Sequence, residues 1–164
     1  MNDAGRTDAA ADLAFSVVDP RSGDATWAMQ QYFAELDERF PGGFDPGDAL
    51  EADAHQYEAP SGAFVVAHLG DDVVGCGGVQ TIGDGIGEIK RMWVSSSVRG
   101  RGLGRRLLAE LEAQSRSLGH HIVRLDTNSN LGEAVAMYRR HGYVEIDRYN
   151  DNPYPDHWFE KPLV

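Results

Sequence analysis

The chain has 164 residues, 41% apolar and 25% charged, which suits one domain whose core needs no disulfide or metal. Its formal net charge of −11 argues against general binding to nucleic acid, because phosphates require a basic face. The single cysteine, Cys76, excludes an internal disulfide, and no apolar run is long enough to span a bilayer, so we expect a cytoplasmic protein without a membrane partner.

The N-terminal third of the chain is acidic and only partly regular. Residues 1–14 are rich in alanine and lack the basic start and apolar stretch of a signal peptide, so we predict a disordered tail and then a domain over residues 15–164. Phe15 to Asp19 is predicted to be a strand, and Thr26 to Phe40 a helix with one aromatic face. The next segment is irregular, with a short helix expected around Asp48 to Ala54.

A strand pattern begins at Ala63 and organises the rest of the domain. Three strands joined by hairpin turns are predicted over Ala63 to Leu69, Val73 to Ile82 and Ile86 to Val94. The remaining elements are a helix over Gly102 to Leu118, a strand over Ile122 to Asp126, a helix over Asn130 to His141, a strand over Tyr143 to Ile146 and a last strand within His157 to Lys161. Hairpins mixed with crossover helices predict an α/β (α+β) domain around one mixed sheet.

Basic residues in this acidic chain are gathered in one short segment. Between Lys90 and Arg106 there are six basic residues and no acidic one. Such a concentration indicates either an anion site or a locally basic, solvated surface.

A glycine-rich loop within that segment favours the anion site. Arg99-Gly100-Arg101-Gly102-Leu103-Gly104 lies between a predicted strand and a predicted helix, where backbone amides and the positive end of the helix dipole can bind phosphate. Neither a nucleotide P-loop nor a Rossmann fingerprint fits the spacing. The alternative is a glycine-rich turn with solvated arginines.

The loop resembles motif A of the GNAT superfamily of N-acetyltransferases, [Q/R]-x-x-G-x-[G/A], with Arg99, Gly102 and Gly104 in its fixed places. Glu88 to Val94 resembles the family's fourth strand, and Asn130 through Tyr138 to Tyr143 resembles its motif B. The likeness covers roughly residues 63–161. It implies a single GNAT-like domain with a mostly antiparallel central sheet flanked by helices, which uses acetyl-CoA as a cosubstrate without a metal.

The resemblance also implies which residues bind acetyl-CoA. Amides of the loop would hold the pyrophosphate, and the main chain of the fourth strand would pair with the pantetheine arm. The residues predicted in this way are Met92, Trp93, Val94, Arg99, Gly100, Arg101, Gly102, Leu103, Gly104, Arg105 and Asn130. Asn130 is equally suited to be the N-cap of its helix. The apolar run Met92 to Val94 breaks the strand alternation, which indicates a bulge or a strand buried on both faces.

Acetyl transfer to an amine needs a base, an acid and a stabilised oxyanion. Glu88 is the predicted base, directly or through water, and its alternative role is a surface ion pair with Lys90 or Arg91. Tyr138 is the predicted acid by likeness to motif B, although its helical spacing also suits a core aromatic residue. The family resemblance places the oxyanion at a backbone amide near Val94.

The acceptor side is predicted from composition alone. Residues 26–60 and 149–157 with the adjoining Trp158 are rich in acid and rings, which suits a cationic small-molecule amine or an amino acid. The residues singled out are Tyr32, Glu35, Phe44, Asp45, Tyr57, Tyr149, Tyr154 and Trp158. A solvated acidic face is the alternative.

Several broader alternatives stay open at this point. The acceptor could be a protein amine, the chain could bind acetyl-CoA as a regulatory module without turnover, or the loop could belong to an interaction domain that binds no CoA. Dimers are common in this family, so the resemblance also allows a homodimer. The six histidines show no metal-ligand spacing, and Cys76 is predicted to be a core residue and not a nucleophile.

Overall fold

The computed structural model describes residues 12–47 and 53–163. Its strands are β1 (Leu13–Val18), β2 (Gly62–Leu69), β3 (Asp72–Gly83), β4 (Ile86–Val94), β5 (Ile122–Thr127), β6 (Val144–Ile146) and β7 (His157–Pro162). Its α-helices are α1 (Gly23–Arg39), α2 (Leu103–Ser117) and α3 (Gly132–Arg140). The order of elements is the one predicted, with boundaries that differ by a few residues at most.

The strands form one mixed sheet in the order β1-β2-β3-β4-β5-β7-β6. Only the β4–β5 pair is parallel, and every other neighbouring pair within the described residues is antiparallel. The parallel pair is short, because it ends where Glu88 lies opposite Arg124. Beyond that position β4 and β5 separate, and a split opens in the middle of the sheet. The predicted fold class is confirmed.

Each face of the sheet is covered by its own apolar cluster. On one face Ala28 and Met29 of α1 pack against Phe64, Cys76 and Trp93. On the other face α2 and α3 cover a larger cluster that includes Val65, Val79, Leu107, Leu111, Tyr138 and Phe159. Neighbouring residues of β2 point to opposite clusters, as the strand period requires. The C-terminal end of α1 and the start of α3 meet through an ion pair between Arg39 and Glu133.

The helix ends follow from local chemistry. Ser22 caps α1 by accepting a hydrogen bond from the Ala25 amide at 3.3 Å. Helix α2 starts without a side-chain cap, after Gly102 in the left-handed conformation (φ 76°), which glycine adopts without a Cβ clash. Its first turn contains no acidic residue, so its amide groups and positive dipole end are not neutralised locally.

Two predictions concern segments that the structure covers in part. Residues 1–11 of the predicted tail, and residues 48–52 of the predicted short helix, lie outside the described residues. Strand β1 already includes Leu13 and Ala14, and a 3₁₀ turn spans Ala54–Tyr57. Among the helices that are described, none combines the length and the apolar character needed to cross a bilayer.

Candidate active site

Two cavities meet at the split between β4 and β5. The first, the loop groove, has a volume of about 360 Å³ and is lined by residues such as Glu35, Val94, Arg99, Gly100, Gly102 and Arg105. The second, the aromatic chamber, has a similar volume of about 360 Å³ and is lined by residues such as Phe33, Phe44, Tyr57, Arg91, Asp126 and Tyr154. Six residues line both, namely Tyr32, Leu36, Met92, Leu131, Ala134 and Tyr138.

The loop groove is built around the glycine segment. Gly100 and Gly102 both have positive φ, 82° and 76°, and a side chain at Gly100 would meet open space. The turn therefore exposes backbone where α2 begins. Uncapped amides at a helix N-terminus, approached by a loop without side chains, form a site for phosphate groups.

Ion pairs cross the loop groove, and the charged residues that line it carry an excess of positive charge. Arg99 pairs with Glu35 of α1, and it also donates from Nε to the Val94 carbonyl at 3.2 Å. Arg39 pairs with Glu133 of α3. The basic lining residues are Arg39, Arg99, Arg105 and Arg140, against the acidic Glu35 and Glu133. The groove is thus suited to an anion, although a carboxylate already contacts Arg99.

Strand β4 offers an open edge to the groove. Its ladder with β5 ends at Glu88, and among the described strands none pairs with that edge from Ile89 to Val94. On its other edge a bulge places Arg91 and Met92 opposite Gly77, since Cys76 pairs with Trp93 and Gly78 with Lys90. Arg91 has a φ of 58°, a conformation that side chains rarely adopt. The bulge confirms one of the two explanations offered for the broken alternation.

Tyr138 lies at the boundary of the two cavities. Its side chain is buried (7% exposed) in the core beside Tyr143 and Phe159, and its hydroxyl donates to the Met92 sulfur at 3.8 Å. Burial, and less strongly the charge of Asp126, raises the pKa of Tyr138 above its ordinary value. The phenol therefore stays protonated at neutral pH. Tyr138 is both a core aromatic residue and a lining residue of both cavities.

Ring side chains from three segments line the chamber. Phe33 and Phe44 stack with ring centroids 5.6 Å apart, and Phe40 stacks on Tyr154 at 5.8 Å. Phe44 contacts Tyr154 at 4.5 Å, which joins the two pairs into one layer. These rings come from α1, the segment after it, and the late loop before β7. Phe44 and Tyr154, both predicted for the acceptor side, lie in this layer.

Charged side chains line the chamber as well. Arg91 is buried, with its guanidinium 4.9 Å from the Tyr57 ring centroid and 5.7 Å from that of Phe33, and it pairs with Asp53 at 3.3 Å. Lys90 pairs with Asp126 at 3.0 Å. Lys90 and Arg91 bind carboxylates here, so the basic residues of the segment are divided, and of the six only Arg99 and Arg105 line the loop groove.

Glu88 is placed differently from its predicted position in the cleft. It is 3% exposed and lines neither cavity, but a shallower depression beside the chamber. Tyr149 donates to its carboxylate at 2.6 Å and Gln80 at 2.7 Å. Asn150 bridges Glu88, at 3.5 Å, to Asp126, at 2.6 Å. Glu88 is therefore connected to the chamber through other side chains and does not face it directly.

The other predicted site residues fall into two groups. Met92, Trp93, Val94, Arg99, Gly100, Gly102, Leu103, Gly104 and Arg105 line the loop groove. The Leu103 and Trp93 side chains are buried in apolar clusters, so what they give the groove is mainly backbone. Arg101 and Asn130 are exposed and line neither cavity. Asn130 does not cap α3, and its amide group donates to Asn128 at 2.7 Å.

Of the eight residues predicted for the acceptor side, five line the chamber and three lie elsewhere. Tyr32, Phe44, Asp45, Tyr57 and Tyr154 line the chamber. Glu35 lines the groove instead, Tyr149 covers Glu88, and Trp158 is buried with its indole N–H donating to Asn150 at 3.0 Å.

Sequence reasoning missed Asp126, Asp53 and Arg91 as chamber residues. The signal that could have identified Asp126 is its place near the end of β5, the strand that precedes the helix resembling motif B. Within the described residues no three potential metal ligands lie close together. Cys76 is buried in the α1-side cluster, as predicted, and burial raises the pKa of its thiol.

Comparisons with known proteins agree with this geometry. Residues 29–143 match the model of the acetyltransferase (GNAT) family. An IAA acetyltransferase of Azospirillum brasilense is 36% identical over 142 residues, which cover 83% of this chain and 91% of that protein. The N-alpha-acetyltransferase RimI of Mycobacterium tuberculosis is 31% identical, with 76% and 78% covered. A GNAT family acetyltransferase from Elizabethkingia anophelis, solved with acetyl-CoA bound, has the same fold at a TM-score of 0.67 and 14% identity, with 93% and 99% covered.

Proposed function

This chain belongs to the acetyltransferase (GNAT) family, and from that premise we propose that it transfers an acetyl group from acetyl-CoA to the primary amine of a small molecule or an amino acid. The observation that carries the proposal is the position of Tyr138, a buried phenol shared by the basic loop groove and the ring-lined chamber. A donor on one side and an acceptor on the other would meet beside its hydroxyl.

The donor would occupy the loop groove. Amides from Gly100 to Arg105 would bind the pyrophosphate, which the positive end of α2 favours. The open edge of β4 at Met92 to Val94 would pair with the pantetheine arm as an added strand does. The acetyl-CoA bound to the Elizabethkingia relative supports this choice of donor. Arg101 and Asn130 would act at the groove's outer rim, since both are exposed.

The chemistry requires two protons to leave the amine and one to reach sulfur. An ammonium loses its first proton to become nucleophilic, and Glu88 would accept it through intervening water, because its carboxylate lies behind the chamber wall. The amine nitrogen then bonds to the thioester carbon, and a backbone amide near Val94 would stabilise the oxyanion. As the C–S bond breaks, Tyr138 gives its proton to the thiolate and regains one from the nitrogen. One proton is released in total.

Two other functions are separated from this one by specific results. The relative named as an N-alpha-acetyltransferase supports a protein amino terminus as the acceptor. A regulatory module would bind acetyl-CoA without turnover. The first predicts thiol release with peptides alone, and the second predicts binding without thiol release for any amine.

The test measures amine-dependent release of the CoA thiol together with calorimetric binding of acetyl-CoA. We expect Tyr138→Phe to lower turnover about tenfold or more and to leave the acetyl-CoA dissociation constant within about twofold. Tyr143→Phe is the matched control, because it removes a neighbouring buried phenol whose hydroxyl donates to Glu112 at 2.7 Å, away from both cavities. Near-normal turnover in Tyr138→Phe contradicts the proposed role of Tyr138.

A further inference from the structure

We infer that the acceptor is an arylalkylamine, with its ammonium at Asp126 and its ring against the layer formed by Phe33, Phe40, Phe44 and Tyr154. This inference rests on the proposed function, since the chamber is the acceptor side only if the loop groove holds the donor. It goes further by naming the chemical class of the acceptor and the two ends of its site.

The ring layer provides a surface for an aromatic group. Its four rings are joined by contacts between 4.5 and 6.0 Å, and they come from separate parts of the chain. Offset and edge-to-face geometries of this kind are the ones that an added ring can extend. Tyr154 is the most exposed of the four (36%), so the layer continues to the surface and a ligand can reach it.

The charged end of the chamber is acidic. Asp126 lines the chamber, Asn150 joins it to the Glu88 carboxylate, and Lys90 lies 3.0 Å from Asp126 and 3.8 Å from Glu88. Two carboxylates against one cation leave an excess of one formal negative charge. A ligand ammonium at Asp126 would balance it, and the burial of both carboxylates strengthens the attraction.

The positions of Tyr138 and Asn128 relate the two ends to the chemistry. Asp126 and Tyr138 both line the chamber, and Tyr138 also borders the loop groove. Two residues after Asp126, Asn128 donates to the Tyr154 carbonyl at 2.6 Å. An ammonium held at Asp126 is thus near the proposed acid, and a short chain brings its ring to the layer.

The other charged groups of the chamber favour a single ammonium without a carboxylate. Asp53 is paired with Arg91, and the Asp45 carboxylate accepts the Gly47 amide at 2.9 Å. Arg91 also lies over the Phe33 and Tyr57 rings, so a cation already occupies the ring faces at that end. The carboxylate of an amino acid would therefore meet an arginine that is already paired, and a diamine brings no ring to pack against the layer.

The experiment compares acceptors at saturating acetyl-CoA. We expect kcat/KM for 2-phenylethylamine to exceed that for n-butylamine, 1,4-diaminobutane and a short peptide by about tenfold or more, since only the aryl amine buries its ring against the layer. Phe44→Leu should reduce that preference at least threefold, and Asp126→Asn should raise KM about tenfold for both monoamines. Phe15→Leu, a ring change on β1 outside the chamber, is the control that leaves the preference unchanged.

Failure of the inference about the acceptor is distinguishable from failure of the proposed function. If the peptide, the diamine or n-butylamine is the better acceptor, the chain is an acetyltransferase and the inference is wrong. If no amine is acetylated although acetyl-CoA binds, the proposed function is wrong. In that case, calorimetric titration of the CoA-saturated protein with 2-phenylethylamine decides the inference. Binding that Phe44→Leu and Asp126→Asn both weaken supports it, and no binding overturns it.

Discussion

The loop groove and the aromatic chamber share a wall but differ in charge, lining and origin. The groove is rich in arginine and presents backbone from Gly100 to Arg105, whereas the chamber presents rings and the buried carboxylate of Asp126. Most of the groove's predicted ligands lie in one stretch of about a dozen residues. The rings and charges of the chamber come from α1, the segment between α1 and β2, β4, β5 and the late loop.

The groove and the chamber are therefore encoded by the sequence in different ways. A phosphate site made of amides depends on local backbone conformation, and a short motif encodes it. A site for a variable organic acceptor depends on side chains that converge from distant segments, and no local pattern encodes their convergence. The same fold can therefore keep its donor and exchange its acceptor by changing loops.

The largest effect should come from blocking the groove at Gly104. A Cβ there would lie 3.3 Å from the Met137 sulfur, and Gly104→Glu would also put a negative charge beside the pyrophosphate. We expect acetyl-CoA affinity to fall about a hundredfold or more in calorimetry. Gly23→Glu is the matched control, because a side chain there meets open space at the start of α1. Unchanged affinity in Gly104→Glu would mean that the groove is not the donor site.

Raising the ionic strength should weaken binding in the loop groove more than binding in the aromatic chamber, although by a smaller factor than Gly104→Glu. Acetyl-CoA is a polyanion in a groove with excess arginine, whereas the proposed acceptor carries one charge. Between 50 and 300 mM salt we expect the acetyl-CoA dissociation constant to rise about fivefold and the amine KM to rise less than about twofold. Equal salt dependence of the two constants would contradict this account of the groove's charge.

Glu35 offers a finer test of the groove. Its carboxylate pairs with Arg99, so a bound pyrophosphate would compete with it. We expect Glu35→Gln to tighten acetyl-CoA binding about threefold, the scale of a partly exposed ion pair, with the amine KM unchanged. Glu110→Gln removes an equal charge on α2 outside both cavities and should have no effect. Weaker binding in Glu35→Gln would mean that the carboxylate organises the site.

The smallest effect is expected at His120, which lines neither cavity. Burial, then the charge of His121, lowers the pKa of His120, whose ring nitrogens lie 2.7 Å from the hydroxyls of Ser115 and Thr81. The unfolded chain binds a proton near the ordinary pKa of 6.5 and the folded chain resists it, so the free energy of unfolding should decline as pH falls below that value.

Urea denaturation of the wild type and His120→Asn at pH 7.5 and pH 5.5 measures this contribution. The decline should be smaller in the variant, and acetyl-CoA affinity at pH 7.5 should be equal in both. An equal or larger decline in the variant would assign the pH dependence to other groups.

Glu88 illustrates why the chemistry was harder to predict than the fold. Its strand was predicted with the observed boundaries, and the resemblance indicated a cleft on that strand. However, Glu88 is the last β4 residue paired with β5, still inside the closed part of the sheet, where Tyr149 covers it. Asp126 lies two positions beyond the last β5 residue that pairs with β4, where the sheet has opened. The location of the split depends on how the two strands twist apart, which the sequence pattern does not encode.

The elements, their order, and the glycine loop with its arginines could be predicted from the amino-acid sequence, because alternation, helical spacing and positive φ are local properties of neighbouring residues. Tertiary structure alone decided that Arg99 meets Glu35, that Lys90 and Arg91 turn away from the anion site, and that Tyr138 borders both cavities. These contacts join residues dozens of positions apart. Their partners are selected by packing across the split sheet, where charge pairing and ring contacts act through space and not along the chain.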